Sequence, residues 1–248
     1  MKYVVGNWKM APASFKEARE LFESLTTQLH GRSETTRIVV CPPFLYLQPF
    51  AALLSRNAAF SLGAQDVHFE ASGAATGEIA AEQLKDLGIE TVIVGHSERR
   101  ALGETDAVIA KKVQAAITAG MTAVVCVGER EREGEWHAEL IGQAEAAVSL
   151  LGEADMARLV VAYEPVWAIG ADDADTPDSA LTSILLVRKV VQKRFGEDIA
   201  RRTPVLYGGS VSAKNVQGFA RTEGIDGALP GRASRDPAQF AEIVQAFS

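Results

Sequence analysis

The sequence predicts an α/β protein that folds as a closed (β/α)8 barrel in a single domain spanning residues 1–248. Three observations support this prediction: short apolar runs recur eight times, helical patterns lie between them, and no linker or low-complexity stretch divides the 248 residues. Strands that alternate with helices form parallel sheets through right-handed crossovers. Eight such units in this length favour a closed barrel, and an open doubly wound sheet is the alternative.

The predicted strands are short runs of mainly aliphatic residues. This composition is typical of strands buried on both faces, as the strands of a parallel sheet are. In chain order the runs are Tyr3–Gly6, Ile38–Cys41, Ala59–Ala64, Thr91–Gly95, Thr122–Val127, Leu159–Tyr163, Val205–Tyr207 and Gly227–Leu229.

The predicted helices carry apolar residues at helical spacing. Ser14 is suited to the N-cap of the first helix, and Gly88 and Gly120 stand where helices are expected to end. In chain order the patterns are Ser14–Leu29, Leu45–Arg56, Ala80–Leu87, Asp106–Ala119, Trp136–Leu151, Ser179–Phe195, Ala213–Arg221 and Pro237–Phe247.

Composition excludes several classes of function. The chain is 47% hydrophobic and 23% charged, and 25 Lys and Arg against 32 Asp and Glu give a net charge of -7. Without a polybasic run, we expect neither nucleic-acid nor membrane binding. Cys41 and Cys126 lack the spacing of a metal site or a disulfide framework. The N-terminal segment resembles neither a signal peptide nor a membrane span, so we expect a cytoplasmic protein.

Polar residues follow several of the predicted strands. In a parallel barrel such residues converge on one rim, where these folds place their chemistry. The rim would then carry an amine, an imidazole, a carboxylate and glycine-rich loops. This combination predicts an acid–base site beside an anion-binding cradle. The residues are Asn7 and Lys9, His96, Glu164, the run Tyr207-Gly208-Gly209-Ser210, and Gly231 with Arg232.

These residue types suit proton abstraction next to a carbonyl group. That reaction needs a base, an electrophile for the carbonyl oxygen and a cation for the enediolate, and Glu164, His96 and Lys9 can supply them. We expect the backbone N–H groups of the two glycine-containing loops to hold a phosphate. No metal-ligand cluster and no Gly-x-Gly-x-x-Gly after the first strand indicate a cofactor, so we expect none.

Seven strings distributed along the chain resemble the motifs of the triosephosphate isomerase family, in the same order. They are Gly6-Asn7-Trp8-Lys9-Met10, Gly63-Ala64-Gln65-Asp66, Thr76-Gly77-Glu78-Ile79, Gly95-His96-Ser97-Glu98-Arg99-Arg100, Cys126-Val127-Gly128-Glu129, Tyr163-Glu164-Pro165-Val166-Trp167-Ala168-Ile169-Gly170 and Tyr207-Gly208-Gly209-Ser210-Val211.

The resemblance implies a TIM barrel that interconverts dihydroxyacetone phosphate and glyceraldehyde 3-phosphate through an enediol. It implies that Glu164 is the base and His96 the electrophile, and that Asn7 and Lys9 contact the substrate. Residues 165–176 match a closing lid. A short helix beginning near Ser97 would favour a neutral imidazole at His96.

The resemblance also assigns binding and supporting positions. Gly170, Ser210, Gly231 and Arg232 match phosphate-binding positions. Tyr207, Gly209, Glu98 and Thr76 match supporting ones; Glu98 is alternatively a structural ion-pair partner of Lys9 or an Arg. The loop containing Thr76 matches one that inserts into a neighbouring subunit, so we expect a homodimer.

The sequence departs from the family in the lid and in the eighth loop. Ala171-Asp172-Asp173 replaces Thr-Gly-Lys, and a further acid, Asp175, follows. Arg232 replaces a glycine; its side chain adds a cation, crowds the cradle or points outward to Asp172 or Asp173. Ala11-Pro12 replaces Asn-Gly after Met10. Ala75 replaces an aromatic residue in the loop that is expected to contact the neighbouring subunit, where a smaller side chain reduces the buried contact.

Two other functions remain open at this point. One is isomerisation of a four-carbon ketose phosphate by the same catalytic residues in a pocket of different size. The other is a non-catalytic phosphate-binding barrel, which would have no need for a base opposite an electrophile.

Overall fold

Eight parallel strands form a closed barrel in the computed structural model, which describes residues 1–31, 35–54, 58–169 and 175–248. Strand β1 pairs with β2 on one side and with β8 on the other, which closes the sheet and confirms the predicted barrel. The strands are β1 Lys2–Asn7, β2 Thr36–Cys41, β3 Ser61–Ala64, β4 Thr91–Val94, β5 Thr122–Val127, β6 Leu159–Tyr163, β7 Val205–Tyr207 and β8 Gly227–Ala228.

Ten α-helices lie among the strands within these ranges, where eight helical patterns had been predicted. They are α1 Phe15–Leu29, α2 Phe44–Leu53, α3 Ala81–Asp86, α4 Ser97–Ala101, α5 Asp106–Thr118, α6 Trp136–Val148, α7 Pro177–Phe195, α8 Glu197–Arg202, α9 Val216–Arg221 and α10 Pro237–Ala246.

The two additional helices are both short. Helix α4 begins at Ser97, as expected for the helix beside His96. Helix α8 was not predicted, because its six residues are too few to show a hydrophobic period. It follows Gly196, whose φ of +87° ends α7 and turns the chain.

Alternate residues of six strands, all except β3 and β8, pack into two separate cores. Val5, Val39, Ile93 and Val124 belong to a small cluster inside the barrel, and their neighbours pack against the helices in a larger cluster. Successive side chains of a strand point to opposite faces, which explains the division. Among the helices of the described ranges, none combines the length and apolar character that a membrane crossing requires.

Local signals in the sequence account for several helix boundaries. The Ser14 hydroxyl accepts a hydrogen bond from the Glu17 N–H at 3.2 Å, which confirms Ser14 as the N-cap of α1. Gly88 and Gly120 have φ of +77° and +79°, the left-handed conformation that terminates a helix.

Candidate functional site

A pocket of about 720 Å³ opens at the carboxyl ends of the strands. It contains eight of the predicted site residues, which come from five strand ends. They are Asn7 and Lys9 after β1, His96 after β4, Glu164 after β6, Gly209 and Ser210 after β7, and Gly231 and Arg232 after β8.

Lys9 is held in an unusual backbone conformation at the end of β1. Its φ is +56°, a value that residues other than glycine rarely adopt. The Lys9 N–H donates to Asn7 Oδ1 at 2.9 Å, and the Lys9 carbonyl accepts from Gln65 Nε2 at 2.9 Å. These bonds offset the strain and fix the direction of the amine. Asn7 therefore positions Lys9 as well as facing the pocket.

His96 is the N-cap of α4. Its Nδ1 accepts a hydrogen bond from the Glu98 N–H at 3.2 Å, and its Nε2 lies 3.1 Å from Glu164 Oε1. An Nδ1 that accepts from a backbone N–H carries no proton, so Nε2 is the protonated nitrogen of a neutral ring. The helix end thus turns an N–H donor towards the pocket.

Glu164 is 2% exposed and follows β6 directly. Its Oε2 accepts a hydrogen bond from the Ser97 N–H at 3.0 Å, while its Oε1 faces His96. The Ser97 N–H belongs to the first turn of α4, where the helix dipole favours a negative charge. The carboxylate is therefore anchored to the same helix that carries the imidazole.

The two groups influence each other's pKa in opposite directions. Burial raises the pKa of Glu164, but His96, the Ser97 N–H and Lys9 together bring it below its usual value. Burial lowers the pKa of His96, but the Glu164 carboxylate outweighs it, so the pKa is raised. A second proton on His96 would break the Nδ1 bond to the Glu98 N–H. If a substrate carbonyl took the place of Glu164 Oε1 beside His96 Nε2, the main cause of the raised His96 pKa would be removed.

The loops after β7 and β8 form the other wall of the pocket. The Ser210 hydroxyl donates to the Ala168 carbonyl at 2.9 Å, which ties this wall to the start of residues 165–176. Gly231 lies against Lys9, because a Cβ there would be 3.1 Å from Lys9 Cε. The Arg232 side chain is exposed at the pocket edge. Gly170 lies outside the described residues, as do Asp172 and Asp173, the suggested partners of Arg232.

Two glycines of the pocket wall, Gly208 and Gly209, are required by close packing. A Cβ on Gly208 would lie 2.8 Å from Glu164 Cγ, and a Cβ on Gly209 would collide with the Tyr207 hydroxyl. Tyr207 is fully buried and stacks on Phe219 with ring centroids 4.0 Å apart. Tyr207 is thus beneath the pocket wall rather than in it.

The remaining supporting residues also lie outside the pocket. Glu98 Oε1 forms an ion pair with Lys9 Nζ at 2.6 Å, which is the alternative that the sequence left open for Glu98. Thr76 is exposed on the segment between β3 and α3 and does not line the pocket of its own chain. Nothing in the sequence indicates that the Ser97 N–H and the Gln65 side chain contact the site, because one is a backbone donor and the other is distant in sequence. Gly208 belongs to the predicted β7 loop, but its packing against Glu164 is visible only in the structure.

The arrangement can abstract and return a proton next to a carbonyl. It combines a buried carboxylate, an imidazole N–H donor and an ammonium group beside the loops after β7 and β8. Within the described ranges, no group of three His, Cys, Asp or Glu side chains is placed to hold a metal ion.

Comparisons with known proteins agree on one family. The sequence model of the family described as "Triosephosphate isomerase" matches residues 2–247. A triosephosphate isomerase of Roseiflexus sp. (strain RS-1) is 42% identical over 97% of this chain and 95% of its own length. Proteins of the same name from Coprinopsis cinerea and Alkalilimnicola ehrlichii are 42% and 40% identical, each over 98% of this chain and 97% of their own length.

Proposed function

The chain belongs to the triosephosphate isomerase family, and from this premise we propose that it interconverts dihydroxyacetone phosphate and D-glyceraldehyde 3-phosphate. The observation that carries the proposal is the pairing of a buried base with an electrophile, Glu164 Oε1 lying 3.1 Å from His96 Nε2. Lys9 lines the same pocket. We assign this activity to one domain comprising residues 1–248.

Glu164 is the proposed base. Its carboxylate removes a proton from the carbon next to the carbonyl, and the electron pair of that C–H bond forms the enediolate double bond. A proton passes from the hydroxyl oxygen of the enediolate to the former carbonyl oxygen, and the protonated carboxyl gives its proton to the neighbouring carbon, which converts ketose into aldose. Because Glu164 Oε1 occupies the place beside His96 Nε2 that a carbonyl oxygen needs, the carboxylate withdraws from the imidazole when substrate binds.

His96 and Lys9 are the proposed stabilisers of the enediolate. The His96 Nε2–H donates to the carbonyl oxygen as negative charge develops there. The Lys9 ammonium supplies the positive charge, and Asn7 keeps Lys9 in place through its 2.9 Å bond to the Lys9 N–H. Glu98, paired with Lys9 Nζ at 2.6 Å, holds the amine at the pocket mouth until substrate binds.

The loops after β7 and β8 are the proposed phosphate site. Ser210, Gly231 and Arg232 line the pocket, and Gly170 is assigned to the same site from the family motif. Gly209 leaves room for the Tyr207 hydroxyl beneath this wall. In a chain with a net charge of -7, Lys9 and Arg232 concentrate positive charge where the phosphate would bind.

The alternatives are not favoured. A four-carbon substrate and a non-catalytic binding role both fit the barrel. The relatives from Roseiflexus, Coprinopsis and Alkalilimnicola, however, match nearly the whole chain and are each named triosephosphate isomerase.

The proposed function can be tested with glyceraldehyde 3-phosphate as the substrate, without added metal or cofactor. We expect the wild-type protein to convert it and Glu164→Gln to lose at least about a thousandfold in kcat, since one group serves both proton transfers. Glu164→Gln should still bind inorganic phosphate with wild-type affinity. Glu90→Gln, which alters a side chain 75% exposed, is the matched control. Equal activity of Glu164→Gln and wild type would refute the assignment.

We further propose that the protein works as a cytoplasmic homodimer. Met10, next to Lys9, is 96% exposed, and Leu45 is 84% exposed; both are apolar side chains that a partner subunit would cover. Thr76 would then reach the partner's site rather than its own. Cys41 and Cys126 are free and buried, and disulfides are rare in the reducing cytoplasm. Sedimentation at micromolar concentration should show a dimer that Met10→Asp weakens, and a wild-type monomer would refute the proposal.

A further inference from the structure

Helix α4 carries two backbone donors of the site, but apolar packing does not hold it in place. The Ser97 N–H donates to Glu164 Oε2, and the Glu98 N–H donates to His96 Nδ1. A helix of only five residues has no stability of its own in water. None of the five side chains of α4 is buried, so polar contacts must fix its position.

Arg100 extends from α4 to the ends of two neighbouring strands. Its side chain is 17% exposed. Its Nε donates to the Gly95 carbonyl at 2.9 Å, and its Nη2 donates to the Cys126 carbonyl at 3.1 Å. Because Nε and Nη2 lie along one edge of the planar guanidinium, the two bonds form a rigid fork. One side chain therefore attaches α4 to the ends of both β4 and β5.

The fork lies at the point where β4 and β5 separate. Val94 and Val125 are the last paired residues of these strands, so Gly95 and Cys126 are the next residues opposite each other. The guanidinium bridges the carbonyl groups of this next pair. Since Gly95 directly precedes His96, the fork holds the backbone from which the imidazole extends.

Asp106 fixes the remaining edge of the guanidinium. Arg100 Nη1 donates to Asp106 Oδ1 at 2.6 Å, and Asp106 is the first residue of α5. Gly95 itself has a φ of +69°, and a Cβ there would lie 2.9 Å from Ile109 Cγ2 on α5. The turn from β4 to His96 is therefore packed against α5 while Arg100 holds its carbonyl.

Arg99, the neighbouring arginine of α4, makes different contacts. Its Nη2 lies 3.0 Å from Asp66 Oδ2 and 2.6 Å from Glu104 Oε1, and its side chain is 37% exposed. Asp66 follows β3, and Glu104 precedes α5. Arg99 thus ties α4 to these two loops, whereas Arg100 ties it to the strand ends beside the pocket.

We propose that Arg100 is a positioning residue for the reaction, which acts through α4 to hold His96 and Glu164 in their relative places. Arg100 does not line the pocket, so its effect reaches the substrate only through those two groups. The inference rests on the proposed function, because it assumes that His96 and Glu164 carry the proton-transfer chemistry. Without the fork, α4 shifts, and the Ser97 and Glu98 N–H groups no longer fix the carboxylate and the imidazole.

Arg100→Lys is the most direct test, because lysine keeps a positive charge near Asp106 but cannot bridge both carbonyls. We expect kcat with glyceraldehyde 3-phosphate to fall about tenfold, and about a hundredfold in Arg100→Met, as for a displaced reacting group. KM should change less than about twofold, because the phosphate-binding loops follow other strands. Arg19→Met, which removes an arginine 56% exposed on α1, is the matched control and should match wild type.

Nitrogen NMR of labelled histidine separates positioning from a loss of stability. With a neutral ring, wild-type His96 should carry no proton on Nδ1, because Nδ1 accepts from the Glu98 N–H. In Arg100→Lys this bond is weakened, so we expect a mixture of the two neutral tautomers. The loss of one signal in His96→Asn assigns the resonance.

Three results would overturn the inference. The first is a folded Arg100→Lys protein with wild-type kcat, whether or not its melting temperature is lower. The second is a raised KM with unchanged kcat, and the third is a lowered kcat with the wild-type His96 signal. Arg100→Lys decides the question if Arg100→Met does not fold. A wild-type protein that does not turn over glyceraldehyde 3-phosphate would instead refute the proposed function.

Discussion

Gly208 offers a sharp test of how the base is positioned, because its effect can be worked out from the structure. A Cβ built on Gly208 would lie 2.8 Å from Glu164 Cγ and 3.2 Å from the Tyr163 carbonyl oxygen. Carbon atoms in contact prefer about 3.5–4.0 Å. The Gly208→Ala methyl therefore lacks about 0.7 Å of space. The Tyr163 carbonyl belongs to β6 and cannot yield, so the Glu164 side chain must move.

This displacement should impair the chemical step. Glu164 is held by a 3.0 Å bond from the Ser97 N–H and lies 3.1 Å from His96 Nε2, and a shift of this size disturbs both contacts. A misplacement of about 1 Å at a reacting group costs about a hundredfold in rate. We therefore expect Gly208→Ala to lower kcat between about tenfold and about a hundredfold, or about 1.4 to 2.7 kcal/mol. KM should change little.

Steady-state kinetics with glyceraldehyde 3-phosphate, together with thermal unfolding, provides the measurement. Gly142→Ala in the middle of α6 is the matched control, because nothing lies within 4 Å of its added Cβ. This control should keep full activity and gain about 0.5–1 kcal/mol of stability. A folded Gly208→Ala protein with wild-type kcat would refute the reasoning. A raised KM with unchanged kcat would also refute it, since the phosphate loop rather than the base would then have moved.

Three further substitutions test other parts of the structure. Arg232→Gly should weaken inhibition by inorganic phosphate about two- to fivefold, as expected for an exposed charge, and should reduce the salt dependence of kcat/KM; unchanged affinity would show that Arg232 does not face the phosphate. Gly231→Ala should raise KM more than it lowers kcat, because its Cβ would lie 3.1 Å from Lys9 Cε, and equal effects on both constants would contradict this. Asp236→Ala should lower the free energy of unfolding in urea by about 1 kcal/mol at pH 7, since Asp236 caps α10 and accepts from the Ala238 and Gln239 N–H groups. The pKa of Asp236 is lowered by its hydrogen bonds with Gln239, so this stability is present above pH 3.8 and should disappear as the pH falls through the lowered value.

Much of the fold could be predicted without coordinates, because its signals are local. Aliphatic runs separated by amphipathic patterns predict alternating strands and helices, and right-handed crossovers leave few ways to connect eight of them. β5, β6 and β7 have the bounds that their apolar runs predicted. Helix α8 could not be predicted, since six residues between Gly196 and β7 show no period of their own.

The chemical groups of the site were also visible in the chain, but most of their contacts were not. Polar residues at strand ends predict Asn7, Lys9, His96 and Glu164, because parallel strands deliver their ends to one rim. The pairing of Glu98 with Lys9 was one of the alternatives that the sequence left open, and the structure decides it. No local pattern indicates that the Ser97 N–H binds Glu164, since this donor is a backbone group distant in sequence.

Asp175 shows most clearly the difference between what the sequence predicts and what only the tertiary structure decides. In the sequence it is one more acid in a segment that departs from the family, and nothing there distinguishes a solvated carboxylate from a buried one. Its burial and its Arg132 partner, 43 positions earlier, follow from how β5, β6 and α7 pack together. Residue types and periodicity are properties of the chain, whereas desolvation and ion pairing depend on which distant groups the closed barrel brings into contact.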